Sequence, residues 1–428
     1  MVGLKNSNND RALIQWYQLF INQSAQHSAE SHCHWKKAED LGLPNKKEEH
    51  WKYTPLEQLL AHTFTIPSTC MVSEKMRDEL SLKLHAYRLV FINGSFSSRL
   101  SDNYTGLWQI NVNKGPNRQV LPDPIQSEFF LHLTESLSTE TTHIRLPTGK
   151  IAKRPLYLLF ISQGSDKENT INTIYYRYHV DIESYAQGQI IEHFTSINTQ
   201  GHFSGARATC SIGHHVNFNH IKLAFENRNS YHFSHNDIAL DHNTTVHSNI
   251  FMFGARLSQH QTSARTTGKR SHLTINSLLL PSKNDISNIR TYLEHNTGYS
   301  VSRQLHKIIA SDYGKGIFSG LIKVAQHALK INSKMANHNL ILDPMAEIYT
   351  KPQLEIYADD VQCTHAATLS RIETEQIFYL RARGIPYKEA KKIIIYAFVT
   401  EITEAIKYKE IRDIVLEHIA NTFMEIGI

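Results

Sequence analysis

The sequence predicts a mainly β protein with helical segments at both ends. Three observations carry this. From about Pro155 to Leu342, short β-rich strings follow one another: PLYLLFIS, TIYYRYHVDI, GQIIEHFTSI, HHVNFNHIKLAF, HSNIFMFGA, HLTINSLLL, IRTYLEHN and GIFSGLIKVA. No long amphipathic helix separates them, which excludes a doubly wound α/β fold, where a helix must return the chain between parallel strands. The connections are polar, rich in Asn, Ser, Gly, His and Asp. A sandwich, a barrel and a solenoid remain open. The length of the β region and its isolated asparagines favour a solenoid of stacked turns, although no clean repeat period shows.

The ends read differently. In ALIQWYQLFINQ, Leu13, Trp16, Tyr17 and Phe20 recur at helical spacing, and a second helical stretch, Lys36 to Leu43, stops at Pro44. Thr54, Pro55 and Glu57 form a capping-box pattern with proline at the first helical position. LVFINGSF, Leu89 to Phe96, predicts a strand and an Asn-Gly turn. Residues 97–150 carry scattered prolines and read as an irregular connector with some helix. After the β region, a helix containing Ile377, Tyr379 and Leu380 ends at Gly384, with Pro386 beyond. Ala390, Ile393, Ile394, Ala397, Phe398, Ile402 and Ile406 then form an apolar stripe, and a last helix runs from about Lys409 to Met424. Such helices suit a cap on a solenoid end. The division expected is a helical domain over 1–87, a connector over 88–150, the β core over 151–368 and a second helical domain over 369–428.

Bulk composition narrows the function classes. With 428 residues, 45 basic and 40 acidic groups and a formal charge of +5, the chain has no clustered basic surface for nucleic acid. It has no apolar run long enough to span a membrane and no signal-like start, which fits a cytoplasmic protein. Four scattered cysteines, Cys33, Cys70, Cys210 and Cys363, argue against a disulfide framework. Seventeen of the 26 histidines lie between His143 and His338, a dispersed set that reads as surface and rung decoration. Cys33, between His32 and His34, reads as a surface accident on a helix. No phosphate loop, dinucleotide fingerprint or GxSxG elbow occurs, so no nucleotide site is expected on this chain.

One segment carries chemistry. In KPQLEIYADDVQCTHAAT, Lys351 to Thr368, Cys363 and His365 stand two residues apart. On a strand they share a face, offering a sulfur and a nitrogen to iron or zinc. Read as one extended segment, the string also puts Asp359 and Glu355 on that face, with Asp360 on the other. Two ligands do not close a site that needs four. The pair is half of a shared site or a coincidence.

The strings INSLLLP, RTYLEHN, SRQLHK, FSGLIKVAQHA, KPQLEIYADDVQCTHAAT and IFYLRARGI, with EEHWKYTPL and LVFINGSF nearer the start, closely resemble the SufB/SufD family of iron–sulfur cluster assembly proteins. WKYTPL and the modest length place the chain on the SufD side of that pair. The resemblance covers most of the chain and is weakest over 97–150. It implies a right-handed parallel β-helix between two helical domains. It also implies a non-catalytic scaffold that pairs with SufB through the β-helix and docks the ABC-type ATPase SufC through the C-terminal helices. A nascent iron–sulfur cluster or iron would be handled at the SufB interface, with His365 and Cys363 as ligands and the rest from the partner. His295, His306 and Lys307 are expected to serve rung stacking and interface hydrogen bonding. Where the family usually reads Cys-Ser-His-Gly-Ala-Thr, this chain has Thr364 and Ala366, and the added methyl of Ala366 bears on the local backbone. The alternatives are a SufB-like paralogue, a homodimeric metal-binding β-helix protein, and a metal enzyme, for which no further ligand or general base is evident.

Overall fold

A computed structural model describes residues 8–68 and 70–425. Between residues 156 and 371 the chain alternates strand by strand between two facing sheets. Thr170–Ile182, His202–Ile212, Tyr231–Leu240, Leu257–Thr266, Ile286–His295, Lys315–Val324 and Glu347–Ile356 build the first sheet. Leu156–Ser162, Gln187–Ser196, Asn217–Glu226, Thr245–Gly254, His272–Leu279, Val301–Ala310, Ile331–Ile341 and Val361–Arg371 build the second. Every neighbouring pair in these two series is parallel and in register, so the core is a parallel β-solenoid of about seven turns. At the corners leading from first sheet to second, Tyr185, His215, Asn243, Arg270, Tyr299 and Lys330 take left-handed backbone conformations, φ 53 to 64°. Five of the six are neither Gly nor Asn, the usual residues there.

Alternation decides what fills the coil. Inward residues form an apolar column that includes Phe160, Phe194, Ile250, Ile275, Ile308 and Met335. Polar inward residues pair between turns. Lys222 Nζ donates to Glu192 at 2.8 Å, and His220 Nε2 lies 3.0 Å from the same carboxylate. His306 Nδ1 and Ser277 Oγ share a hydrogen bond at 2.7 Å, and the ring stacks on Phe318. His295 Nε2 and Ser302 Oγ are 3.0 Å apart. The central histidines are therefore rung decoration, but many are buried inside the coil rather than on its surface: His202, His232, His260, His295 and His306 are all fully enclosed.

Helices cover the two outer faces. Asn8–Asn22, Ala29–Leu41 and Phe129–Leu137 lie over the first sheet, with Trp16, Phe64, Phe129 and Phe130 packed on Phe203 and Phe233. The last of these helices is buried at every residue, and it is the helical part of a stretch that the sequence gives only as an irregular connector with some helix. The capping box forms at Ser28 and Ser31, not at Thr54. Thr54 instead accepts a hydrogen bond from Asn288 Nδ2, and the short helix that follows, Glu57–Leu60, starts after Leu56. Over the second sheet, Tyr387–Thr403 and Lys409–Glu425 bury Ile395, Val399, Ile402, Ile406, Ile411 and Val415. The sequence reading holds for Ala390, Ile402 and Ile406, which are buried, but between them Ile393 and Ala397 face solvent while Ile395 and Val399 are buried instead. Lys307, pointing outward, fixes the contact by donating to Phe398 O and pairing with Glu401 at 2.8 Å.

These helices do not cap the end of the coil. They flank it, and the last turn is left open. Glu347–Ile356 and Val361–Arg371 each pair with one neighbour only, so each presents a free edge.

Two outcomes follow. Ile402→Ala, at a fully enclosed position, should cost about 2–5 kcal/mol in chemical denaturation. Phe378→Ala, in the adjoining helix Thr374–Ala382 and 72 % exposed, should stay within about 0.5 kcal/mol. Burial also pushes the luminal histidines His232 and His306 down to about 3 and His295 to about 4. Below the ordinary histidine value of 6.5 the unfolded chain takes up protons that the folded chain refuses, so stability falls as pH drops from there towards 3. A urea midpoint that is level above about pH 7 and declines below about pH 6 is expected; a midpoint still level at about pH 5 would contradict this burial.

Candidate functional site

The open last turn holds the Cys-x-His pair. Val361–Arg371 follows Glu347–Ile356 after a bend over residues 357–360, so KPQLEIYADDVQCTHAAT is two strands in two sheets, not one. This corrects the placement of the acidic residues. Asp359 and Asp360 sit in the bend, where Asp360 O accepts from Lys330 N and its carboxylate pairs with Lys330 Nζ. Glu355 belongs to the other sheet. None of the three shares a strand with Cys363 and His365.

Register fixes where the pair points. Cys363 stands beside Ser333, and His365 beside Met335. Met335 is fully enclosed and belongs to the luminal column, and Cys363 packs against that column. Both side chains therefore project along the luminal face, at the end where no further turn covers them. Cys363 is half-buried and His365 exposed. No residue of Val361–Arg371 is buried. Burial pushes the Cys363 thiol up, and the Ser333 N–H aimed at the sulfur opposes this in part. Beneath Cys363, Ser333 and Ser302 share a hydrogen bond at 2.6 Å. Ala366 lies next to Ala336 on an unbroken, exposed strand, so its methyl meets no obstacle within the chain.

Among the described residues, no third Cys, His, Asp or Glu joins this pair in a ligand group of three or more. One such trio exists elsewhere: Glu30, His34 and Glu135. Arginines already occupy it. Arg177 reaches Glu135 at 2.5 Å and Glu30 at 2.6 Å, Arg207 reaches Glu135 at 3.2 Å, and Arg118 reaches Glu30 at 3.4 Å. With its carboxylates paired this way, the trio is an ionic lock between the N-terminal helices and the first sheet.

The other cysteines stand apart. Cys33 is exposed, while His32 bonds Ser28 O and His34 bonds His132, so HCH does not converge. Cys210 is buried inside the coil, its thiol pushed well up by desolvation. The sequence reading named Tyr379 only as a member of its helix and did not name Phe378; both are exposed on a helix that buries only Ile377. Their neighbourhood of alternating apolar and charged residues gave no signal of which face would be left uncovered.

Comparison with known proteins shows the family. The family described as SUF system FeS cluster assembly, SufBD core domain, matches residues 160–398. The chain is 47% identical to the iron–sulfur cluster assembly protein SufD of Escherichia coli strain K12, over 98% of both chains. It is 29% identical to an iron–sulfur cluster assembly SufBD family protein of Synechocystis, over 86% of this chain and 84% of that one. The chain belongs to the SufBD family of SUF-system iron–sulfur cluster assembly proteins.

Proposed function

We propose that this chain is a non-catalytic scaffold subunit that contributes half of an iron–sulfur assembly site to a complex with a SufB-type paralogue. The observation that carries the reading is the position of Cys363 and His365 on the solenoid end where full turns of the parallel stack, Glu347–Ile356 and Val361–Arg371, are themselves the sheet edges. A soft sulfur and an imidazole nitrogen suit iron or a nascent cluster as cargo. They are too few to hold it alone, and free strand edges beside them offer main-chain pairing to a second solenoid. The partner would extend both sheets and supply the missing ligands. His365, exposed at the rim, is the better-placed ligand; Cys363 sits deeper and is less readily ionised.

Docking of a SufC-type ABC ATPase is assigned to the C-terminal helices. Phe378 and Tyr379 leave an aromatic face uncovered there, the kind of anchor that dominates protein interfaces. ATP hydrolysis would take place on that subunit. Four free cysteines fit a reducing cytoplasm.

The test is anaerobic cluster reconstitution on the co-expressed three-component complex. His365→Ala should leave complex formation intact and lower the iron and sulfide retained, whereas Phe378→Asp should release the ATPase while the paralogue stays bound. Unchanged iron and sulfide in His365→Ala would remove this residue from the site. A chain that captures neither partner would overturn the scaffold reading.

A further inference from the structure

The luminal floor beneath the last turn carries a third soft donor. Met335 stands one turn in from the open end, in register with His365. Alternation puts Met335, Cys363 and His365 on the luminal face of two adjoining strands. Neighbouring strands lie about 4.8 Å apart, and residues i and i+2 of one strand about 6.6 Å apart. A thiol, an imidazole and a thioether thus spring from three neighbouring positions on one wall.

Two observations set this methionine apart. Met252, also in the luminal column, lies further along the coil and is flanked in register by Ala224 and Leu279, with no thiol or imidazole beside it. Met335 alone of the two adjoins such donors. Its sulfur is also given room. Residue 320, across the lumen, is glycine, and a Cβ there would collide with Met335 Sδ. In register with Gly320 on the last turn is Pro352, so only that uncovered turn separates the sulfur from solvent.

The donor types decide which metal suits. Thiolate and thioether sulfurs with an imidazole favour Cu(I), whereas harder divalent cations prefer oxygen. Among the described residues no Asp or Glu joins the Cys363–His365 pair in a ligand group. Methionine is unbranched with three rotatable bonds, so its sulfur can turn towards a metal while the strand stays in place.

We propose that Cys363, His365 and Met335 bind one Cu(I) on this chain alone, through two sulfurs and one nitrogen. The inference shares with the scaffold reading only the assignment of Cys363 and His365 as ligands.

Anaerobic competition with the Cu(I) chelator bicinchoninate tests it, on the full chain with Cys33 and Cys70 changed to Ser. Those two cysteines are not fully buried and could hold copper on their own. The chain should withdraw one Cu(I), and X-ray absorption should show two sulfurs and one nitrogen around it. Met335→Leu, close in volume, should weaken binding by about tenfold or more and leave one sulfur. His365→Ala and Cys363→Ser should weaken it at least as far. No Cu(I) withdrawn from the chelator, or unchanged affinity in Met335→Leu, would overturn the proposal. Should Met335→Leu fail to fold, the sulfur count of the parent chain decides, and a single sulfur overturns it. No partner takes part, so a chain that binds Cu(I) yet captures no paralogue sinks the scaffold reading alone, and the converse result sinks only this site.

Discussion

In-register stacking of parallel turns is the constraint on which the rest of this structure depends. A strand in such a coil is satisfied only when it has a turn on each side, because its N–H and C=O groups point along the stack. The interior turns meet that condition, and at the start of the coil the parallel stack gives way to antiparallel pairs, Tyr87–Ile92 with Ser95–Phe96 and Gln109–Lys114 with Glu140–Leu146. The final turn does not meet it. Its edges, its luminal face and the Cys363–His365 pair are open together. One geometric fact thus places the unfilled hydrogen-bonding edge beside the Cys363–His365 pair.

The flanking helices follow from the same geometry. A two-sheet coil has two outer faces, and each must be covered where its outward residues are apolar. On the first sheet the cover is held by aromatic packing and by the ionic lock of Glu30 and Glu135 with Arg118, Arg177 and Arg207. On the second it is an aliphatic seam fastened by Lys307 and Glu401. Because the helices run along the faces, they leave the coil's end free. That placement leaves two separate exposed surfaces, the coil's end and the aromatic face of Thr374–Ala382.

Much of this was legible in the residues. Long β-rich strings without intervening helices gave the solenoid, and the i, i+2 spacing of Cys363 and His365 gave their common face. The repeat period was not legible. Turns differ in length: 27 residues separate Thr245 from its stacked partner His272, and 31 separate Val301 from Asn332. The corners hid themselves as well, since Tyr185, His215, Arg270, Tyr299 and Lys330 adopt a conformation that sequence reading assigns to Gly or Asn. The bend over 357–360, Tyr-Ala-Asp-Asp, has neither Gly nor Pro, so two strands read as one and Asp359 and Glu355 were placed on the wrong surface. The helix Phe129–Leu137 carries an apolar face, Phe129, Phe130, Leu133 and Leu137, but it is short and sits in a stretch broken by prolines, so it did not stand out from a connector.

The claim at the centre of this account is that a paralogous solenoid completes the last turn. Hydrogen–deuterium exchange over Glu347–Ile356 and Val361–Arg371 measures it directly, with and without a SufB-type partner. The account predicts rapid exchange of the edge-facing amides in the isolated chain and strong protection of both strands in the complex, centred on Cys363 and His365. Exchange that stays unchanged in these strands while protection appears elsewhere would contradict it.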